Sequence, residues 1–333
     1  MANRDIGFSL WLDFIERDYL KDDFGKLLAN GVVTGATSNP AIFASAISKS
    51  PAYKEQLKTL EGKSPKEKYE ALAIEDIKRA ATILEPYYYD SNDGYISIEV
   101  DPSLANNAKA TVAEARRLFK AIGKPNVMIK IPATQAGYEA MSELMADGIS
   151  INATLVFSPK QARQCFTAMT KGIAKGEADG SCRVEGVISV FVSRFDRLLD
   201  NELEQSGITP HKTGIYNAAK IYNMVENNNI SNIRTLFAST SVKGDNLPAD
   251  YYVTELVAPH SINTTPLDTI NSYLGTKNKN IALPIEDNII NGYFTNLKDN
   301  GFDMDEIYKE LLNDGLKAFE DAFNNMLKEL EEK

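Results

Sequence analysis

One pattern recurs along this chain: a short apolar run rich in β-branched residues, a turn, then apolar residues at helical spacing. A chain written this way alternates strands with helices, and strands apolar almost throughout must be covered on both faces of a parallel sheet. Residues 8–13, 33–37, 95–100, 127–131, 149–157, 187–192, 233–238 and 252–257 predict the strands, and 104–121, 135–145 and 159–175 predict intervening helices. Eight strands spread over roughly 250 residues fit a closed barrel better than an open sheet. The expected fold class is α/β, a single (β/α)8 TIM barrel over about residues 7–275, within one domain spanning residues 1–333.

Two stretches exceed a simple barrel. Residues 51–92, between the second and third strands, are long for a crossover. Within them 66–84 places Tyr69, Leu72, Ile77, Ala80, Ala81 and Leu84 at helical spacing. The C-terminal helices, over about 284–333, carry a stripe running from Met304 through Leu311, Leu312, Phe319, Phe323 and Met326 to Leu330. Such a stripe could bind a partner; packing on the barrel's own surface is the expected outcome.

Whole classes of function fall away on charge and composition. A net charge of -10 disfavours nucleic acid, whose phosphates need clustered Lys and Arg. No apolar run approaches the roughly 18 residues of a membrane span, and the N-terminal residues lack a signal peptide's apolar core. Cys165 and Cys182 form no zinc-binding spacing and are expected as reduced thiols of a cytoplasmic protein. The two histidines, His211 and His260, each follow a proline in a polar turn, so neither a catalytic His triad nor a His-rich metal site is supported. No glycine-rich nucleotide fingerprint is present, and no cofactor or metal is expected. A monomer and a homodimer both suit this sequence.

The chemistry gathers at strand ends, where barrel enzymes place their active sites. Lys130 stands inside Val127-Met128-Ile129-Lys130-Ile131-Pro132 with apolar neighbours on both sides. A lysine denied bulk water has its ammonium form disfavoured, and the free amine is what a Schiff base requires. The competing reading is a packed stem whose head reaches the rim. Nearby strands weigh against it. Glu99 and Asp101 end one strand, Asn152 and Thr154 share a face of the next, and Ser189 and Phe191 share a face of the sixth. Asp13 closes the first strand, and Asn39 follows the second in Thr37-Ser38-Asn39-Pro40, although a cap or turn role would also suit both. Arg194 and Arg197 open a helix after the sixth strand, and Ser239, Ser241 and Lys243 follow the seventh. Hydroxyls, an arginine fork and a lysine charge together suit a phosphate dianion.

The ordered motifs Ser9-Leu10-Trp11-Leu12-Asp13, Thr37-Ser38-Asn39-Pro40, Ser97-Ile98-Glu99-Val100-Asp101, Ile129-Lys130-Ile131-Pro132-Ala133-Thr134, Ile151-Asn152-Ala153-Thr154-Leu155 and Ile188-Ser189-Val190-Phe191-Val192-Ser193-Arg194 resemble the transaldolase family from about residue 7 to 270. The resemblance implies a metal-free, class I aldol mechanism with Lys130 as the Schiff-base lysine on the fourth strand. It implies that Asp13 is the acid/base at the C4 hydroxyl, and that Glu99 and Thr154 hold a proton-shuttling water. Asn39, Asn152 and Ser189 would bind the hydroxyls of a dihydroxyacetone unit, with Arg194 and Ser239 on the phosphate of a sugar-phosphate substrate. Where many members have Ser-Phe-Arg or Ser-Phe-Lys after the seventh strand, this chain has Ser239-Thr240-Ser241-Val242-Lys243. Ser241 and Lys243 both remain open as the partner of Ser239; Lys243 is favoured for its charge. Lyases of the same fold, which release free dihydroxyacetone, typically have Tyr where Phe191 stands, so Phe191 favours transfer. A sugar-phosphate-binding barrel without turnover is the remaining alternative.

Overall fold

The computed structural model describes residues 4–91, 93–178, 184–244, 246–277 and 279–332. Its strands are β1 (Ser9–Leu12), β2 (Gly35–Thr37), β3 (Ile96–Glu99), β4 (Val127–Pro132), β5 (Ile151–Val156), β6 (Gly186–Phe191), β7 (Ile233–Ala238) and β8 (Ser261–Thr265). All are parallel and close in sequence order, with β8 pairing back onto β1. The helices are α1 (Arg17–Ala29), α2 (Pro40–Lys49), α3 (Lys54–Thr59), α4 (Pro65–Ser91), α5 (Ala108–Ile122), α6 (Gln135–Ala146) and α7 (Pro159–Ala178). They continue with α8 (Ser193–Gln205), α9 (Thr213–Glu226), α10 (Tyr251–Thr254), α11 (Leu267–Gly275), α12 (Asp287–Asp299) and α13 (Met304–Glu331). Local chemistry sets several boundaries. Asn107 caps α5 by accepting from the amide of Ala110, and Gly123 ends it at φ 65, a left-handed conformation that glycine adopts without penalty.

The eighth strand is not where the sequence placed it. Residues 252–257 form part of α10 and the turn after it. Tyr252, Val253, Leu256 and Val257 are buried, and their spacing follows a helical face rather than a period of two. Aromatic and β-branched content had suggested a strand there. The actual β8 reads Ser-Ile-Asn-Thr-Thr and is buried throughout. Some of its polar groups find partners: Asn263 Oδ1 accepts from Thr240 Oγ1 at 2.8 Å, and Ser261 Oγ donates to the carbonyl of Ala258 at 2.8 Å, whereas Asn263 Nδ2 and Thr265 Oγ1 are buried without one among the described residues.

The period of two along each strand divides the interior into layers. On β4, Val127, Ile129 and Ile131 join the core between sheet and helices, whereas Met128 belongs to a second cluster with Trp11, Val187, Leu236 and Ile262. These five side chains form an apolar floor. Two residues further along the same chain segments stand Asp13, Lys130, Ser189, Ala238 and Thr264, all lining one cavity. Below the floor, Asp93 accepts from Ser9 Oγ at 2.5 Å, Trp11 Nε1 at 3.0 Å and Thr34 Oγ1 at 2.6 Å, with Arg234 Nη2 3.4 Å away. That buried network closes the end of the barrel opposite the cavity.

The insert after β2 supplies α3 and α4, the latter covering the expected 66–84 segment. The C-terminal stripe forms one helix, α13, packed against α2 and α4 and touching β5. Gly315 permits that approach: a Cβ there would lie 2.9 Å from Leu155 Cδ2 and 3.4 Å from Phe157 Cε2. Cys165 is a buried free thiol, whereas Cys182 lies outside the described residues. Among the described residues no helix is long and apolar enough to cross a membrane.

Candidate active site

The cavity at the carboxyl ends of the strands has a volume of about 280 Å³. Strand pairing sets the spacing of its central groups. Glu99 on β3 registers with Lys130 on β4, which registers with Asn152 on β5. Lys130 is 6% exposed. Its Nζ lies 3.3 Å from the carbonyl of Ser38 and 3.5 Å from Glu99 Oε2. Glu99 stands behind the lysine rather than on the cavity wall, and burial pushes its carboxyl up to about 7. The Lys130 charge and contact pull that value down, and the charge of Asp13 adds to the rise.

Asp13 faces Lys130 from β1's end of the barrel. Burial raises its pKa, while the Lys130 charge and a 2.6 Å hydrogen bond from Thr37 Oγ1 act against the rise. Thr37 Oγ1 also lies 2.6 Å from Thr264 Oγ1. On the opposite side Asn152 Nδ2 donates to Ser97 Oγ at 2.9 Å, and Ser189 Oγ donates to Asn152 Oδ1 at 2.6 Å. These bonds hold both side chains in one orientation at the cavity wall. Asn39 has two roles on separate atoms: its Oδ1 caps α2 through the amide of Ile42 at 3.0 Å, leaving Nδ2 for a ligand. Thr154 lines the cavity, and neither its Oγ1 nor Glu99 Oε1 has a hydrogen-bond partner among the described residues, while Glu99 Oε2 meets only Lys130. Buried oxygens in that condition suit a polar ligand or a bridging water.

Basic side chains gather at the far end. Arg194, Arg197, Ser239, Ser241 and Lys243 line the cavity there, with Arg194 and Arg197 in the first turn and a half of α8. Burial and the neighbouring Arg197 charge lower the proton affinity of Arg194, and Asp314 opposes them. The Nε of Arg194 is buried without a partner among the described residues. Two guanidinium groups side by side at a helix N-terminus suit an anion. Ser239, held at φ 55, reaches Ser193 Oγ at 3.0 Å and joins the two basic loops. Phe191 packs edge-on against Phe157 at 5.3 Å, with the Arg194 guanidinium 5.9 Å from its ring centre.

Twelve of the fourteen residues singled out at strand ends therefore line this cavity; Glu99 touches Lys130 from behind, and Asp101 lies off the cavity, paired with Lys66. His211 and His260 lie elsewhere, pairing with Asp200 and Glu226. Among the described residues no group of three His, Cys, Asp or Glu side chains is placed to hold a metal ion. Sequence reasoning missed Thr264, because β8 was misplaced. It also missed Phe319 of α13, about 190 residues from Lys130, whose ring centre lies 5.6 Å from Nζ. No local signal distinguishes Phe319 from the core residues of the same stripe.

Comparison with known proteins agrees with this geometry. Residues 10–330 match the family described as Transaldolase/Fructose-6-phosphate aldolase. A protein of Campylobacter jejuni subsp. jejuni named "Transaldolase" is 46% identical over 333 residues, covering 97% of this chain and 99% of that relative. A "Transaldolase" of Helicobacter pylori is 43% identical over 321 residues, covering 96% and 98%. With a buried lysine at the mouth of a closed parallel barrel and similarity along nearly its whole length, the chain belongs to the transaldolase/fructose-6-phosphate aldolase family.

Proposed function

We propose that this chain acts as a transaldolase. It moves a dihydroxyacetone unit from sedoheptulose 7-phosphate or fructose 6-phosphate to glyceraldehyde 3-phosphate or erythrose 4-phosphate, a step of the non-oxidative pentose phosphate pathway. The observation that carries this reading is Lys130 Nζ at the cavity wall, 3.5 Å from a Glu99 carboxyl raised to about 7. An amine beside a group that exchanges protons near neutrality is what Schiff-base chemistry needs.

The Lys130 amine adds to the ketone carbon, and the carbinolamine loses water to give an iminium ion. Asp13, whose raised pKa makes it a better base, takes the C4 hydroxyl proton. The C3–C4 bond breaks, its electron pair enters the iminium, and the aldose phosphate leaves. The enamine then attacks the acceptor aldehyde, and Asp13 returns its proton. A water held by Glu99 and Thr154 hydrolyses the new iminium, while Asn39, Asn152 and Ser189 hold the hydroxyls of the three-carbon unit. Arg194, Ser239 and Lys243 bind the phosphate; the charge of Lys243 is the reason for choosing it over Ser241. No cofactor takes part. A cytoplasmic setting belongs to the same reading, and the buried free Cys165 suits a reducing compartment.

The product ratio tests the reading. With fructose 6-phosphate and erythrose 4-phosphate, sedoheptulose 7-phosphate and glyceraldehyde 3-phosphate should form in equal amounts, with free dihydroxyacetone a minor product. Phe191 has no hydroxyl with which to protonate the enamine or place an extra water. Dihydroxyacetone accumulating as fast as cleavage would make the enzyme a lyase.

The pH profile gives a second check. At pH values below about 7 Glu99 holds a proton and cannot take one from the amine 3.5 Å away. The value of kcat/KM should therefore fall as pH drops through about 7, by roughly tenfold per unit well below it. Glu99→Gln should lose that inflection together with most of its activity. A variant that keeps the inflection assigns it to another group.

A further inference from the structure

We propose that Phe319 shields the imine nitrogen formed on Lys130 from bulk water, and so sets how often the three-carbon enamine is transferred rather than hydrolysed. The proposal rests on the Schiff-base reading above. Its starting point is placement: an aromatic ring from the C-terminal helix has its centre 5.6 Å from Nζ and lines the same cavity. The near neighbours of Nζ on the other sides are polar, namely the Ser38 carbonyl and the Glu99 carboxylate.

The ring is held there by contacts on both sides along α13. Gly315, Phe319 and Phe323 follow one another at four-residue steps and so share a face of the helix. At Gly315 the helix backbone lies close to Leu155 and Phe157, and an added Cβ would come within 2.9 Å of Leu155 Cδ2. At Phe323, 4% exposed, the ring meets Tyr69 of α4 edge-on at 5.3 Å. Between those two anchors Phe319 has a fixed height above the barrel. Phe319 is thus positioned by the tertiary contacts of α13 and not by any strand.

Two consequences follow for an iminium on Lys130. The face of an aromatic ring is electrostatically favourable to a nearby cation. The ring also occupies space from which solvent would otherwise reach the C=N bond. Transfer and hydrolysis differ in this respect. In hydrolysis the enamine carbon takes a proton, a water oxygen adds to the C2 carbon, and the C–N bond breaks to release dihydroxyacetone and the amine. In transfer the enamine carbon bonds to the aldehyde carbon before any water is consumed. A wall against bulk water therefore slows the first without obstructing the second, while the water needed at the end of the cycle is supplied on the Glu99 side.

The test is the ratio of free dihydroxyacetone to transferred unit, measured with fructose 6-phosphate and erythrose 4-phosphate. Phe319→Ala, which opens the space, and Phe319→Gln, which fills it with a polar group, should each raise that ratio about tenfold or more. Phe319→Leu, bulky and apolar, should hold it within about twofold of the unaltered chain. An unchanged ratio in the Ala or Gln variant, whichever folds, overturns the proposal, even if kcat falls or the melting temperature drops. Borohydride reduction with fructose 6-phosphate alone separates the two layers of inference. An adduct on Lys130 of the unaltered chain together with an unchanged ratio in the variants rejects the role of Phe319 only. No adduct on the unaltered chain rejects the Schiff-base reading itself.

Discussion

Lys130→Arg should take up no adduct when reduced with borohydride in the presence of fructose 6-phosphate, and its turnover should fall by at least about 10⁴-fold, as when a covalent nucleophile is lost. Arginine keeps a positive charge beside Glu99 and beneath the Phe319 ring, so the variant retains the ion pair and much of the packing. What it loses is the capacity to present a free amine, because a guanidinium stays protonated in proteins. The comparison therefore isolates nucleophilicity from charge. Peptide mapping of the reduced, unaltered chain should find the three-carbon or six-carbon adduct on the peptide containing Lys130. An adduct on a different lysine, or a variant within tenfold of full activity, would remove Lys130 from the mechanism.

Asp13→Asn should separate bond cleavage from imine formation. Asparagine can still accept the 2.6 Å hydrogen bond from Thr37, so the geometry of the wall is preserved. It cannot take the C4 hydroxyl proton, and a positioned general base contributes roughly 10²- to 10⁴-fold. Turnover should fall by about that factor. Borohydride should still trap the intact ketose on Lys130, because the attack on the carbonyl does not use Asp13. Trapping lost in step with turnover would place Asp13 in imine formation instead and would falsify its assignment to C–C cleavage.

The alternation of β-branched runs and helical stretches was enough to specify a parallel barrel. In β4 and β6 the period of two also separated side chains facing the cavity from those facing the helices, because successive side chains must point to opposite sides. Lys130, Asn152, Ser189 and Asp13 could be singled out for a related reason: a polar residue in an apolar strand must find a partner or a ligand to be tolerated. The same rule, applied without the fold, misplaced β8. Its Asn263 and Thr264 are buried among hydroxyl partners from β2 and from the loop after β7, which are contacts that no local pattern records. Residues 252–257 looked more like a strand because their composition is aromatic and β-branched, although their burial follows a helical face.

What the sequence by itself determined about this protein is the alternation of strands and helices through β7, the strand faces on which polar side chains stand, and Lys130 as the lysine among them. Only the tertiary structure decided how those faces are joined. Barrel closure brings Asp13 on the first chain segment against Lys130 on the fourth strand and makes the Glu99 carboxyl a neighbour of both. The docking of α13, permitted by the missing side chain of Gly315, sets Phe319 above Nζ. Both outcomes depend on contacts between residues far apart in the chain, whereas propensity and periodicity report only on neighbours a few residues away.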